Sequence, residues 1–228
     1  METIQPEGSG GGEAVREREN ESASRKSFFK LVGGAGAASA FAVFLAACGD
    51  DDDDSSSGAG AKQPEKVADP GDLEIVQYAL TLEHLETDFY NAVLDSGVVK
   101  DRKLGETAKL IRDAEQAHVD TLTGVVKDLG GTPKRPKTNF DAVLEGGERK
   151  VLETAAAVEN LGAAAYLGQA PRIKSKDILA AALSIHSVEA RHAAALNAVV
   201  GKTIVPDGAF AKPASMEEVL PQVMPFLA

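Results

Sequence analysis

Residues 177–200 combine the spacing of a buried helix with two side chains that such a helix normally excludes. Apolar residues recur every three or four positions, as on one face of an α-helix, and Glu189 and His192 fall within the same stripe. Burying a carboxylate or an imidazole costs free energy unless a partner compensates it. Glu-x-x-His on a bundle helix is the spacing by which two side chains bind one metal ion, so this stretch predicts a ligand helix.

The same face occurs a second time in the chain. At an offset of 74 residues, Glu115 and His118 interrupt an equivalent apolar stripe. An offset of 76 residues relates the two helices that precede these, and it carries a glutamate and a tyrosine in the pairs Glu83/Glu159 and Tyr90/Tyr166. Four helices therefore form two related hairpins, each with three inward ligands, and the six are Glu83, Glu115, His118, Glu159, Glu189 and His192.

This constellation resembles the ferritin-like di-iron carboxylate proteins, in which the first and third helices each give one Glu and the second and fourth each give Glu-x-x-His. The resemblance covers about residues 71–200. Two phrases, ALTLEHLE at residues 79–86 and VEARH at residues 188–192, are similar to a bacterial and plant branch called ferritin-like domain or desiccation-related proteins. The resemblance implies an all-α fold, a ferritin-like four-helix bundle with a long crossover between helices two and three.

Metal is favoured over direct pairing of the six side chains. Four carboxylates that face one another repel at low dielectric, and two neutral histidines offset little of that repulsion. Two divalent cations balance four glutamates and also accept imidazole, a mixed O/N set that suits two Fe ions, with Mn as the alternative. Tyr90 and Tyr166 are predicted to donate hydrogen bonds that orient ligand carboxylates.

Three other polar residues lie near these positions in the sequence. Glu86 follows Glu83 by one turn and remains a candidate second carboxylate. His84 lies about 100° around the helix from Glu83 and is expected at the surface or beside the site. His186 is one turn before Glu189, and a single unpaired histidine is more often structural.

Composition excludes several function classes. The 228 residues carry a formal net charge of −11, which argues against a nucleic-acid partner because phosphate binding needs a basic face. Cys48 is the single cysteine, so neither an internal disulfide nor the cysteine-ligated iron centre of rubrerythrins can form. Any electrons must come from an external donor. A solute-binding α/β protein is disfavoured because no strand periodicity is visible, and a homodimer stays an open alternative.

The first 70 residues resemble an export signal followed by a tether. Within residues 1–47, a segment with almost no large apolar residues comes first. It is followed by SRKSFFK, which resembles a twin-arginine signal with Lys for the second Arg, and then by a short apolar stretch. LAAC at residues 45–48 resembles a lipobox, so Cys48 is expected to receive a lipid; the alternative is an uncleaved transmembrane anchor. Residues 48–70 predict an acidic, Gly/Ser-rich tether. Both alternatives place the domain outside the cytoplasm.

The remaining residues divide into the bundle at 71–200 and an irregular C-terminal tail at 201–228, which is rich in proline and expected to pack on the bundle. Pro70 and Asp72 indicate the first helix start, with Asp72 as its cap, and residues 215–218 predict a short capped turn. The expected function is a lipid-anchored, extracytoplasmic di-metal protein that oxidises Fe(II) or removes peroxide. The alternative is a non-catalytic stress or desiccation-related protein with a structural or absent metal site.

The lipobox generates a direct prediction. In a bacterial host, the protein should be processed to begin at Cys48 and should incorporate radiolabelled palmitate, whereas Cys48→Ser should do neither because the lipid acceptor is the thiol. A wild-type protein that takes up no label would contradict the lipoprotein interpretation.

Overall fold

The helical periodicity of the sequence becomes four long helices in the computed structural model, which describes residues 70–228. These helices are α1 (Pro70–Ser96), α2 (Arg102–Asp128), α4 (Gly147–Gln169) and α5 (Lys176–Val199). Two short helices, α3 (Asp141–Glu145) and α6 (Met216–Val223), lie between and after them. Extended pairing within residues 70–228 amounts to one isolated bridge between Thr138 and Leu227. The predicted all-α fold class is confirmed.

Several sequence predictions fall outside the described residues. These are the export signal in residues 1–47, the lipid on Cys48 and the tether at residues 48–70, of which only the last residue is described. Among residues 70–228, no helix combines the length and the apolar character that crossing a bilayer requires.

The four long helices form two antiparallel hairpins joined by a crossover. Helix α1 packs along α2, and α4 packs along α5. Near the start of α1, Gln77 donates a hydrogen bond of 3.0 Å to the carbonyl of Thr132, just beyond the end of α2. At the other end of the bundle, the backbone N–H of Lys100 donates to the carboxylate of Glu148, at the start of α4, over 2.8 Å. Residues 132–147 therefore run the length of the bundle, and the predicted long crossover is confirmed.

The crossover is fastened to the middle of α1. Arg135 and Thr138 both donate to the carboxylate of Asp88. The ring of Phe140 is buried against Phe89, with centroids 5.3 Å apart. Helix α3, which the sequence analysis did not predict, starts where the side chain of Asn139 accepts a hydrogen bond from the backbone N–H of Asp141.

Asp72 does not have the role that the sequence suggested. Helix α1 already begins at Pro70, because a residue without an amide hydrogen is tolerated in a first helical turn. The carboxylate of Asp72 is buried and accepts hydrogen bonds of 2.8 Å each from the backbone N–H groups of Lys174 and Ser175. It therefore ties the start of α1 to the segment that leads into α5, and the prediction of a cap was wrong.

The tail is more regular than predicted. Ser215 and Glu218 form a reciprocal capping box that starts α6. This helix buries Val219 and Val223 completely or nearly so, and it forms although Pro221 lies inside it. The tail also adds a backbone hydrogen bond of 2.9 Å from Ala214 to Ala164 of α4. The segment around α6 therefore packs against α4.

Replacing Asp72 tests the tie between α1 and α5. Asp72→Ala should lower the free energy of unfolding by about 3 kcal/mol, because it removes two hydrogen bonds to a charged acceptor and leaves two backbone donors unpaired. Urea unfolding monitored by circular dichroism measures the change. Glu74→Ala, at an exposed position of the same helix, is the control and should change the stability by less than about 0.5 kcal/mol. Equal effects of the two substitutions would contradict the assignment.

Candidate metal centre

Each long helix contributes one glutamate that is entirely shielded from solvent. Glu83 of α1, Glu115 of α2, Glu159 of α4 and Glu189 of α5 all have 0% exposure. Each lies near the middle of its helix, so the four carboxylates meet at one level of the bundle core. The structure thus brings together the glutamates that the two sequence offsets selected, in the place where an unpaired charge costs most.

The imidazole of His118 faces three of these carboxylates at once. Its Nδ1 lies 2.9 Å from Glu115 Oε2, 3.1 Å from Glu189 Oε1 and 3.2 Å from Glu83 Oε2. Only 12% of the His118 side chain is exposed. One imidazole nitrogen and three carboxylate oxygens, each oxygen from a different helix, therefore surround a common point.

His192 repeats this arrangement on the other side of the pseudo-symmetric bundle. Its Nδ1 lies 2.9 Å from Glu115 Oε1, 3.3 Å from Glu159 Oε2 and 4.0 Å from Glu189 Oε2. The approach to Glu115 is close but does not have the angles of a hydrogen bond, so Nδ1 of His192 has no hydrogen-bond partner in the described part of the chain. The Nδ1 atom of His192 therefore faces three carboxylates, as the Nδ1 atom of His118 does.

The two sets share two residues. One set consists of Glu83, Glu115, His118 and Glu189, and the other of Glu115, Glu159, Glu189 and His192, each with ligand atoms within 4.8 Å of one another. Glu115 and Glu189 belong to both sets, with one oxygen directed to each histidine. If each set held one ion, Glu115 and Glu189 would bridge the two ions, and Glu83 and Glu159 would each bind one.

Hydrogen bonding within the protein does not satisfy these groups. Among residues 70–228, the buried side-chain oxygens without a hydrogen-bond partner include Glu115 Oε1, Glu159 Oε2 and both oxygens of Glu189. A histidine nitrogen carries at most one hydrogen and cannot serve three acceptors. The donor set and its unpaired oxygens fit cations, which could bind all four atoms of each set.

Without a cation, two protonated histidines would flank the ionised carboxylate of Glu115. Burial opposes the ionisation of Glu115, but the contacts of His118 and His192 outweigh it and lower the pKa of Glu115 to about 2. Burial likewise disfavours the charged imidazoles, yet their carboxylate neighbours raise the pKa of His118 to about 12 and that of His192 to about 9. Both histidines would then carry a proton at neutral pH.

The other carboxylates are held towards their protonated form. Burial raises the pKa of Glu83 to about 7 in spite of the hydrogen bond from His118. Burial also raises the pKa values of Glu159 and Glu189, and repulsion from neighbouring glutamates adds to it. If all four carboxylates ionised, two imidazolium ions would offset only half of their charge, whereas a divalent cation in each set would offset all of it.

Two tyrosines cross between the hairpins to orient the terminal glutamates. The hydroxyl of Tyr90, on α1, donates to Glu159 Oε1 of α4 over 2.5 Å. The hydroxyl of Tyr166, on α4, donates to Glu83 Oε1 of α1. In each case the other oxygen of the same glutamate is the one that faces a histidine. Each tyrosine thus fixes one carboxylate oxygen and leaves its partner directed at the candidate metal position.

The structure also places the three residues whose roles were open. His84 is buried, and burial together with Arg135 lowers its pKa, so it is not a surface residue. His186 hydrogen-bonds the carbonyl of Ala163 over 3.0 Å, as a structural histidine would. Glu86 is buried in the core and belongs to neither set.

Comparison with known proteins agrees with the site. The model of the family described as "Ferritin-like domain" matches residues 71–202, which include all six side chains and both tyrosines. A search of curated proteins gave no match.

These pKa shifts predict how the metal-free protein responds to pH. Between its ordinary pKa of 4.5 and about 7, folded Glu83 holds a proton that the unfolded chain has released. His192 does the same between 6.5 and about 9. The folded state therefore binds more protons across this range, and the free energy of unfolding should fall as pH rises from 5 to 9.

Urea unfolding in a chelating buffer, at a series of pH values, measures this trend. Glu83→Gln should flatten the fall below pH 7, and Glu74→Gln, at an exposed position, should not. Saturating metal should reverse the trend, since binding displaces protons from the ligands. A stability that rises with pH in the chelator would contradict the assigned charges.

Proposed function

Because the chain belongs to the ferritin-like domain family, we propose that its six buried ligands hold two metal ions, Fe or alternatively Mn, that react with dioxygen or peroxide. The ligands of one ion are Glu83, Glu115, His118 and Glu189. Those of the other are Glu115, Glu159, Glu189 and His192. Oxygen and imidazole ligands of this kind suit both metals.

The observation that carries this proposal is the spacing of the ligand atoms around each histidine nitrogen. Two ligands that bind one ion at about 2.1 Å and at right angles to each other lie about 3 Å apart. Five of the six distances from a histidine Nδ1 to its carboxylate oxygens are between 2.9 and 3.3 Å. The ligand atoms are therefore spaced as they would be around a bound ion, and Glu115 and Glu189 would be shared between the two ions.

Charge supports the same assignment. Four glutamates at 0% exposure bring a formal charge of −4 into the core when they ionise. Two divalent ions cancel that charge and leave both histidines neutral, as imidazole must be to bind a metal. The protein then buries no net charge at this level of the bundle.

The chain's own residues divide the chemical work. When bound, two redox-active ions supply one electron each, which with two protons converts one H₂O₂ molecule into two water molecules. Tyr90 and Tyr166 hold Glu159 and Glu83 in position, so that the ligands keep their places. Cys48 is the only cysteine, so the proposal includes an external electron donor. Fe(II) oxidised by dioxygen is the second candidate substrate, in a ferroxidase reaction.

We place this activity outside the cytoplasm, on a lipid anchor at Cys48. The lipobox-like LAAC sequence and the acidic segment after it support this location. The anchor would keep the bundle near the membrane, where it could remove peroxide or Fe(II) that reaches the cell surface.

Metal titration of variants tests the shared ligands. Metal-free protein titrated anaerobically with Fe(II) or with Mn(II) should bind about two ions per chain, as the paired carboxylate motifs require. Glu115→Ala removes a bridge and should lose both ions, whereas His118→Ala should weaken mainly one. Glu106→Ala, at an exposed position of the same helix, is the control and should keep both.

The opposite result is equally clear. A wild-type stoichiometry near zero, or one that Glu115→Ala leaves unchanged, would contradict the di-metal proposal. The six side chains would then be a polar core held by their own contacts, as in the non-catalytic alternative.

A further inference from the structure

Glu86 is a fifth glutamate in the bundle core, and the proposed site does not use it. Its side chain is only 2% exposed, on the turn of α1 that follows Glu83. No hydrogen bond within the described part of the chain ends on its carboxylate. Besides burial, the largest influences on its ionisation come from Glu189, Glu83, Glu115 and Glu159, all of them repulsive. A buried carboxylate among like charges destabilises the fold unless something else compensates it.

The fold makes room for Glu86 at a glycine. The offset of 76 residues that relates Glu83 to Glu159 also relates Glu86 to Gly162. A Cβ atom at Gly162 would lie 2.7 Å from Glu86 Oε1 and 3.6 Å from Glu189 Oε2. The carboxylate of Glu86 thus occupies the space that a side chain at the matching position of α4 would need, and it borders a bridging ligand.

The oxygen of Glu189 nearest to this space identifies which half of the site Glu86 faces. Glu189 Oε1 is the oxygen 3.1 Å from His118 Nδ1, whereas Oε2 is the oxygen in the set of His192. Gly162 also follows Glu159, the terminal ligand of that second set, by one turn. The space that Glu86 occupies at Gly162 therefore adjoins the Glu189 oxygen of the His192 set, and the glycine at the matching position breaks the pseudo-symmetry of the two hairpins.

We propose that Glu86 is an additional ligand for the cation at the His192 position, which it reaches by rotation about its side-chain torsions. This inference rests on the proposed di-metal function and makes the two positions unequal. The His192 position has four glutamates available, namely Glu86, Glu115, Glu159 and Glu189, against three at the His118 position. The richer position binds a hard divalent cation more tightly because each added carboxylate contributes an oxygen ligand and a negative charge.

Mn(II) is a suitable probe, because isothermal titration reports its affinity and electron paramagnetic resonance counts the free ion. Wild-type protein should show two unequal binding steps. Glu86→Gln, which keeps the shape of the side chain, should still bind two ions, but the tighter step should weaken by roughly tenfold or more. Glu74→Gln, at an exposed position of the same helix, is the matched control and should keep the wild-type isotherm.

Gly162→Ala tests the same space from the other helix. The added methyl group would collide with Glu86 Oε1 and displace the carboxylate, so the tighter step of this variant should weaken in the same way. The double variant should be no weaker than either single one, since both remove the same ligand. Gly124→Ala is the control, because a Cβ at Gly124 has no neighbour within 4 Å. Glu86→Gln decides alone if circular dichroism shows that Gly162→Ala does not fold.

Two different failures can be told apart. If wild-type protein binds two Mn(II) ions and Glu86→Gln gives the same isotherm, the role of Glu86 is overturned and the di-metal proposal stands. If wild-type protein binds none, the di-metal proposal is overturned and this inference falls with it.

Discussion

Repulsion among buried carboxylates is the constraint on which the rest of this structure depends. Glutamates from all four long helices meet in the core, and two histidines and two tyrosines from residues 70–228 contact them directly. The remaining apolar core provides the stability that offsets this cost, through residues such as Leu80, Phe89 and Val126, all at 0% exposure. A metal site accounts for the arrangement, because cations convert the repulsion into attraction. Stability given up locally for a binding site is a common feature of functional proteins.

The hairpins share a plan, and the departures from that plan concern the site. Each hairpin supplies two buried glutamates and one histidine to the candidate site, and each sends a tyrosine to one glutamate of the other. The exchange of tyrosines links the hairpins, and each ligand set also contains residues from both of them. Glu86 and Gly162 are matched by the same offset yet differ in chemistry, and this difference lies beside one half of the site only.

The sequence predicted the features that depend on local periodicity and missed those that depend on distant contacts. Helical spacing and the two offsets selected the four helices and the six side chains that the structure brings together, because residues three and four apart share a helix face. Asp72 was misjudged because its partners, Lys174 and Ser175, are about 100 residues away in the chain. The role of Glu86 stayed open because the space for its side chain depends on Gly162, which lies on another helix. The offset of 76 residues could have revealed that glycine, had it been followed one turn further.

The central claim is that the six converging side chains hold two ions between the four helices. Anomalous diffraction at the manganese absorption edge, from crystals of the protein loaded with Mn(II), tests it most directly. The account predicts two peaks in the bundle core, one beside the Nδ1 atom of His118 and one beside that of His192, with Glu115 and Glu189 touching both. A map without peaks there, or with manganese bound only to surface carboxylates, would contradict it.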